Sequence, residues 1–291
     1  MDYKGKTIFH LPGIFEFPRL YQYLLNIITE RPELLRRNVK IGSVYGSPGA
    51  AIWNGGRFVD GMMTKQELTE IKLFMEEKQI PVRFTFTNCL IEEEHLNDTY
   101  CHNILTIFVN GNNEIICNSP LLEEALRKRY MNFYKFISST TKRLQDKQEQ
   151  LDEIEKDYYL VVLDYDHNYD DIFLKQIKNK DKCEILCNPV CRPNCPNRAR
   201  HYENISYCQL NNAPDELMKC DDSCKTFAQA RKNENFISIE RINELLELGF
   251  SNFKLEGRTA HPLDLIEILL YYLIKEEYQP ELRIELQKVV W

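Results

Sequence analysis

Seven of the ten cysteines fall between Cys183 and Cys224. Where thiols are kept reduced, such crowding points to metal or cluster ligation rather than to a disulfide framework. The spacing is Cys187-x3-Cys191-x3-Cys195, then Cys208, then Cys220-x3-Cys224. A radical S-adenosylmethionine motif needs x3 followed by x2, so it is not matched. Zinc takes four thiolates tetrahedrally, and a four-cysteine iron–sulfur cluster takes four around one cubane, with spacing that varies by family. Spacing alone leaves both open. Pro189, Pro193 and Pro196 keep the run out of a regular helix and let successive thiols converge. Cys191 and Cys195 lie in that loop with no evident packing role, and are the first-choice ligands. Cys220 and Cys224 are preferred for the second pair, with Cys187 and Cys208 as alternatives. Cys89, Cys101, Cys117 and Cys183 sit inside strand or helix patterns and read as small buried apolar residues. Arg198, Arg200 and His201 follow the loop at once. Cations there lower thiol pKa values and offset cluster charge, and His201 also suits a general acid/base.

The elements that must position these groups alternate. Apolar strand patterns occur at 38–48, 82–88, 114–120, 133–141, 158–166, 183–189, 236–238 and 253–257, with helical patterns between them. Such alternation implies parallel βαβ units, and eight of them predict a closed (β/α)8 barrel. No Gly/Ser linker divides the chain, so residues 1–291 read as one domain. Residues 1–37 form a helical lead-in, and 183–235 a cysteine-rich region after strand six. Ser238 reads as an N-cap and Gly249 as a left-handed helix end. A doubly wound open sheet is the alternative. It would carry GxGxxG after its first strand, and GSVYGSPGA does not.

In a barrel, chemistry gathers at the C-terminal strand ends. Lys254, Glu256 and Arg258 close the last strand and form, with His201, the candidate catalytic set. Arg57, Asn88, Asn188 and Arg198 are the candidate substrate-binding residues, and Arg258 suits an anionic group as a bidentate donor. The plain reading of these residues is turn chemistry and a strand-end ion pair. The stretch 51–58, AIWNGGRF, reads as a hairpin turning at Asn54-Gly55, or as a lid presenting Trp53.

Composition sets the outer bounds. The 291 residues are 43% hydrophobic and 28% charged, a globular mix. The net charge of −7 argues against nucleic-acid binding over the whole surface but leaves room for a local basic cleft. The N-terminus lacks the apolar core of a signal peptide. The apolar run at 263–274 contains Asp264 and Glu267 and falls short of the ~20 residues that span a bilayer. The expectation is a soluble cytoplasmic protein with no membrane partner.

Glu184-Ile185-Leu186, the Cys191/Cys195 loop, Cys220/Cys224, Ser238-Ile239-Glu240-Arg241-Ile242 and Lys254-Leu255-Glu256-Gly257-Arg258 together resemble the U32 peptidase-like group of (β/α)8-barrel proteins, over roughly residues 158–275. The chain departs from that pattern in carrying Cys187-Asn188-Pro189 where members have a His-Gly pair, and in its x3 cysteine interval. The resemblance implies a [4Fe–4S] cluster, with zinc as the alternative, and an enzyme of oxygen-independent hydroxylation or related modification of RNA or a small anionic metabolite. A non-catalytic binding protein stabilised by zinc or a cluster is the second reading. Other members are named peptidases, but no His-Glu-x-x-His helix or Gly-x-Ser-x-Gly elbow supports that chemistry here.

Overall fold

The computed structural model describes residues 1–220 and 223–290. Eight parallel strands close into a barrel in chain order: β1 (Thr7–Pro12), β2 (Val39–Gly46), β3 (Val82–Phe86), β4 (Glu114–Cys117), β5 (Lys135–Ser138), β6 (Leu160–Val162), β7 (Cys183–Leu186) and β8 (Asn252–Lys254). The helices are α1 (Pro18–Glu30), α2 (Lys65–Glu77), α3 (Thr99–Ile107), α4 (Pro120–Tyr130), α5 (Lys147–Glu155), α6 (Asp171–Gln176), α7 (Arg198–Asn211), α8 (Phe227–Ala230), α9 (Ile239–Leu248), α10 (Pro262–Leu273) and α11 (Gln279–Val290).

The expected (β/α)8 barrel is present, with two changes in its strand count. Thr7–Pro12, inside the supposed helical lead-in, is the first strand, and the lead-in's helix is α1. His10 and Pro12 interrupt its apolar run, which hides the strand in the sequence. Phe236–Ser238 is not a strand. It runs extended beside β7, and Ile237 N–H donates to Cys187 O at 2.7 Å. The cysteine-rich stretch lies after β6. It begins with β7 itself and continues through a long excursion holding α7, α8 and α9 before β8. Ser238 caps α9 by accepting from Arg241 N–H, and Gly249 ends it at φ 104°.

Alternation along each strand sorts the side chains. Phe84 and Phe86 of β3 point out to the helices, where Phe84 meets Phe108 edge-on at 5.2 Å. Ile116, Ile137, Leu160 and Val162 point in and pack together on one side of the lumen. On the other side the lumen is charged. Arg83 donates to Glu114 at 2.6 Å and to Glu184 at 2.5 Å, with His10 Nδ1 2.9 Å away. All four are buried. A buried charge persists only when paired and hydrogen-bonded, and this cluster meets that condition. Gly42 is needed beside it, because a Cβ there would sit 2.6 Å from the His10 ring.

The apolar run near the C-terminus is α10, whose Leu265, Ile266, Leu269, Leu270 and Leu273 are buried. Among the described residues no helix is long and apolar enough to cross a membrane.

Candidate functional site

The C-terminal strand ends open into a small mouth cavity of about 60 Å³, continuous with solvent. Lys254 is its best-placed titratable group. It is the last residue of β8, and the alternation that turns Phe253 outward turns Lys254 in. Its ammonium lies 4.3 Å over the Tyr45 ring, a cation–π arrangement, while Tyr45 Oη–H donates to Leu255 O at 2.5 Å. Glu184 Oε1, itself without a hydrogen-bond partner, is 3.8 Å away, an ion-pair rather than a hydrogen-bond distance. Burial, against the pull of Glu184, brings Lys254 down to about 7, and Arg83 and Arg258 push the same way. Burial alone would raise Glu184. The cations around it, Arg83 foremost, hold it down to about 2. Glu114 shares Arg83 but has fewer cations near it, and burial leaves its carboxyl raised.

Hydroxyls line the opposite wall. Ser139 and Thr141 hydroxyls are 2.8 Å apart, and Asn118 donates to Thr141 at 2.7 Å. Tyr165, Tyr202 and Cys191 form a third side. Behind it Arg198 is buried, its guanidinium 4.3 Å over the Tyr165 ring and donating to Asp164 at 2.6 Å. Asp164 and Asp166 therefore anchor Arg198 rather than face the cavity.

Arg258 and Glu256 also line the mouth, each with prior commitments. Arg258 donates to Asn54 Oδ1 at 2.8 Å, Thr85 Oγ1 at 2.6 Å and Gly55 O at 2.7 Å, which ties the 51–58 loop to the barrel rim. Gly55 passes so close to β3 that a Cβ would lie 2.4 Å from Thr87 O. That loop is neither a hairpin nor a lid. Its Trp53 is fully buried, donates to His95 O at 2.8 Å and packs edge-on to Phe86. Glu256 forms an ion pair with Arg57, and its Oε2 accepts from Val190 N–H at 3.1 Å.

The Arg57–Glu256 pair is a shared wall, since both residues also line a second cavity with His201, Cys224, Lys225 and Thr226. His201 thus faces a neighbouring chamber and not the Lys254 mouth. Burial, then Arg57 and Lys225, lower its pKa. Asn188 clasps the ends of β7 and β8, donating to Glu256 O at 2.9 Å and accepting from Glu256 N–H at 2.7 Å. Asn88 is fully buried and spends its amide on Ile52 O, Ser206 O and Leu90 N–H. Both asparagines hold backbone, and Asn88 does not line the mouth.

The candidate thiols divide into near and far. Cys224 N–H donates to Val190 O at 2.8 Å, and Asn233 Nδ2 lies 2.8 Å from Cys191 O and 3.9 Å from Cys224 Sγ. Cys191 and Cys224 are therefore neighbours. Cys195 is buried before α7, and Cys220 is half-buried. Among the described residues no three His, Cys, Asp or Glu side chains converge as metal ligands. Cys187 faces outward, buried beside Tyr3 and Tyr272.

The lumen charges His10, Arg83, Glu114 and Glu184 were not anticipated as a unit. Their signal was one His, Arg or Glu in each of four short, largely apolar strands. Glu16 was missed as well. Neither of its buried carboxylate oxygens has a hydrogen-bond partner, and burial pushes it up to about 7 against the pull of Arg258.

Comparison with solved structures places the fold. The U32 peptidase Mk0906 superposes with a TM-score of 0.52 at 11% identity, over 88% of this chain and 94% of that one. The Bacillus cereus spore cortex-lytic enzyme SleL gives 0.40 at 12% identity, over 93% and 75%. The resemblance to the U32 barrel is therefore one of fold. No family model and no curated protein matches the sequence.

Proposed function

We propose that the chain is a barrel enzyme whose mouth binds a small anionic metabolite and uses Lys254 as its reactive group. One observation carries this reading: a buried lysine at the end of β8, facing a solvent-connected cavity and brought down to about 7. A group poised near neutral pH is what proton transfer or nucleophilic attack needs, and strained electrostatics of this kind concentrate at functional sites. Arg57 and Arg258 add positive charge against Glu256, so the mouth favours anions although the whole chain carries −7. The test is ligand-observed NMR with a panel of small carboxylates and phosphates. Binding to the wild type and its loss in Arg57→Ala and Lys254→Met are expected. Binding indifferent to both substitutions would count against the reading.

A second reading keeps the thiols, favoured by the approach of Cys191 to Cys224. Here a cluster or zinc ties the excursion after β7, with Cys195 and Cys220 brought in to complete the set. Oxygen-independent hydroxylation of RNA or a metabolite belongs to this reading, because it requires the cluster. Anaerobic purification decides it. About four irons per chain, lost in Cys191→Ala, support a cluster, and stoichiometric zinc supports a structural clip. Metal-free protein that is fully folded removes both.

A further inference from the structure

We infer that Lys254 is a carbonyl-trapping amine, and that the mouth takes a small carbonyl acid, of the 2-oxo acid type, as an iminium on Lys254 Nζ. The inference rests on the mouth being an active site and adds the bond that forms there.

Geometry is the first support. An amine that attacks a carbonyl must reach a cavity, hold a free lone pair and be spared a tight carboxylate contact. Lys254 lines the mouth, and its nearest carboxylate oxygen stands off at 3.8 Å. Its remaining close neighbour is the Tyr45 ring at 4.3 Å, whose hydroxyl is turned away to Leu255 O. The lowered pKa agrees, since it leaves much of the amine unprotonated near neutrality, as desolvated and cation-flanked Schiff-base lysines require.

The charge arrangement is the second support. The neutral amine attacks the carbonyl carbon and forms the C–N bond. The carbonyl π pair moves to oxygen, and that oxygen takes up the nitrogen's proton through solvent. Loss of the hydroxyl as water, with one proton from solvent, leaves C=N⁺. While it keeps its proton the iminium nitrogen is cationic, and the Glu184 carboxylate, held ionised by Arg83, lies on its inner side to stabilise that protonated form. Ser139 and Thr141 supply hydroxyls for the alcohol-bearing intermediate. The substrate's own carboxylate finds Arg57 on the rim, and Arg258, whose hydrogen bonds go to Asn54, Thr85 and Gly55, adds positive charge beside it. The set therefore favours carbonyl acids over neutral aldehydes.

The test uses pyruvate with sodium cyanoborohydride, read by intact mass and peptide mapping. At pH 7.5 an amine of pKa about 7 carries roughly two to three orders of magnitude more free base than an ordinary lysine. One reduced adduct per chain, on Lys254, is expected, with a yield about tenfold lower in Lys254→Met. The pH dependence of trapping at Lys254 in the wild type supplies a readout independent of that variant, with an expected midpoint near 7. Adduct spread equally over surface lysines in both proteins, or no adduct, overturns the inference. Lactate, which lacks the carbonyl, separates this outcome from failure of the broader reading. If lactate and pyruvate both bind by NMR and Arg57→Ala loses them, yet no adduct forms, the iminium falls and the anion-binding mouth stands. If neither binds and no adduct forms, both fall.

Discussion

Arg83→Met removes a cation that two buried carboxylates share through hydrogen bonds. Arg83 donates at 2.6 Å to Glu114 and at 2.5 Å to Glu184, and all three side chains are buried. Taking one partner from a buried ion pair costs about 3–5 kcal/mol, since the other charge is left uncompensated. Two carboxylates lose a hydrogen-bonded partner here, although Glu184 keeps Lys254 at 3.8 Å, so the upper end, about 5 kcal/mol, is expected. Unfolding entropy of about 2.1 cal/mol/K per residue gives roughly 0.6 kcal/mol/K over this chain, hence a fall in Tm of about 8 °C. The assay is thermal unfolding by circular dichroism at pH 7.5 and 5.5. Without the guanidinium the folded pKa of Glu184 rises above that of the unfolded chain, and Glu114, already raised by burial, rises further. A group so raised destabilises most where the unfolded carboxylate is ionised, and the penalty shrinks as pH falls toward the unfolded pKa. The deficit against the wild type is therefore smaller at pH 5.5. A Tm loss under about 2 °C, or a deficit that grows on acidification, would refute the account of the lumen.

Lys254 makes a separate pH prediction. Its folded pKa, about 7, lies below the unfolded value, so between the two the unfolded chain binds the extra proton. Stability credited to this group thus rises with pH from about 7 toward 10, and Lys254→Met flattens that slope in denaturant titrations. Asn188→Ala strands the Glu256 backbone N–H and C=O at the joint of β7 and β8. A loss of about 2–3 kcal/mol in urea unfolding is expected. Gly55→Ala forces a Cβ to within 2.4 Å of the Thr87 carbonyl. It should cost about 1–3 kcal/mol and loosen the 51–58 loop, seen as faster proteolysis there. Glu256→Gln weakens an ion pair that is mostly buried, so a loss of about 1–3 kcal/mol is expected, while reagent accessibility of Cys224 from the mouth side increases.

The barrel was legible because alternation is local and repeats. Each strand from β2 to β7 shows as an apolar run bounded by turn residues, and Lys254, Glu256 and Arg258 stood out at the end of one. What failed was non-local. Whether Phe236–Ser238 pairs as a strand depends on β7 and β8 already lying side by side, which no window of sequence reports. That Asn54, Thr85 and Gly55 take the hydrogen bonds of Arg258, and the Glu256 backbone those of Asn188, is likewise a matter of packing that type and position cannot show. The thiols show the same limit, since spacing groups Cys191 with Cys195 whereas packing joins Cys191 to Cys224. Buried lumen charges were visible as anomalies in four strands, but their meaning lay in all four pointing at one another.

The closing seam has a kinetic consequence. β1 pairs with β8, Ile8 opposite Asn252 and Phe9 opposite Phe253, so the first strand made waits for the last. The excursion through α7, α8 and α9 lengthens that wait, and until it ends β1 and β7 each present an open edge. Open edges are templates for pairing with other chains, and closure between distant segments is slow. The nascent chain is thus most vulnerable to association after β7 has emerged and before β8 has. In the mature fold the same seam should breathe first, with the Ile8 amide, bonded to Ser251 O, exchanging its hydrogen ahead of Ile115.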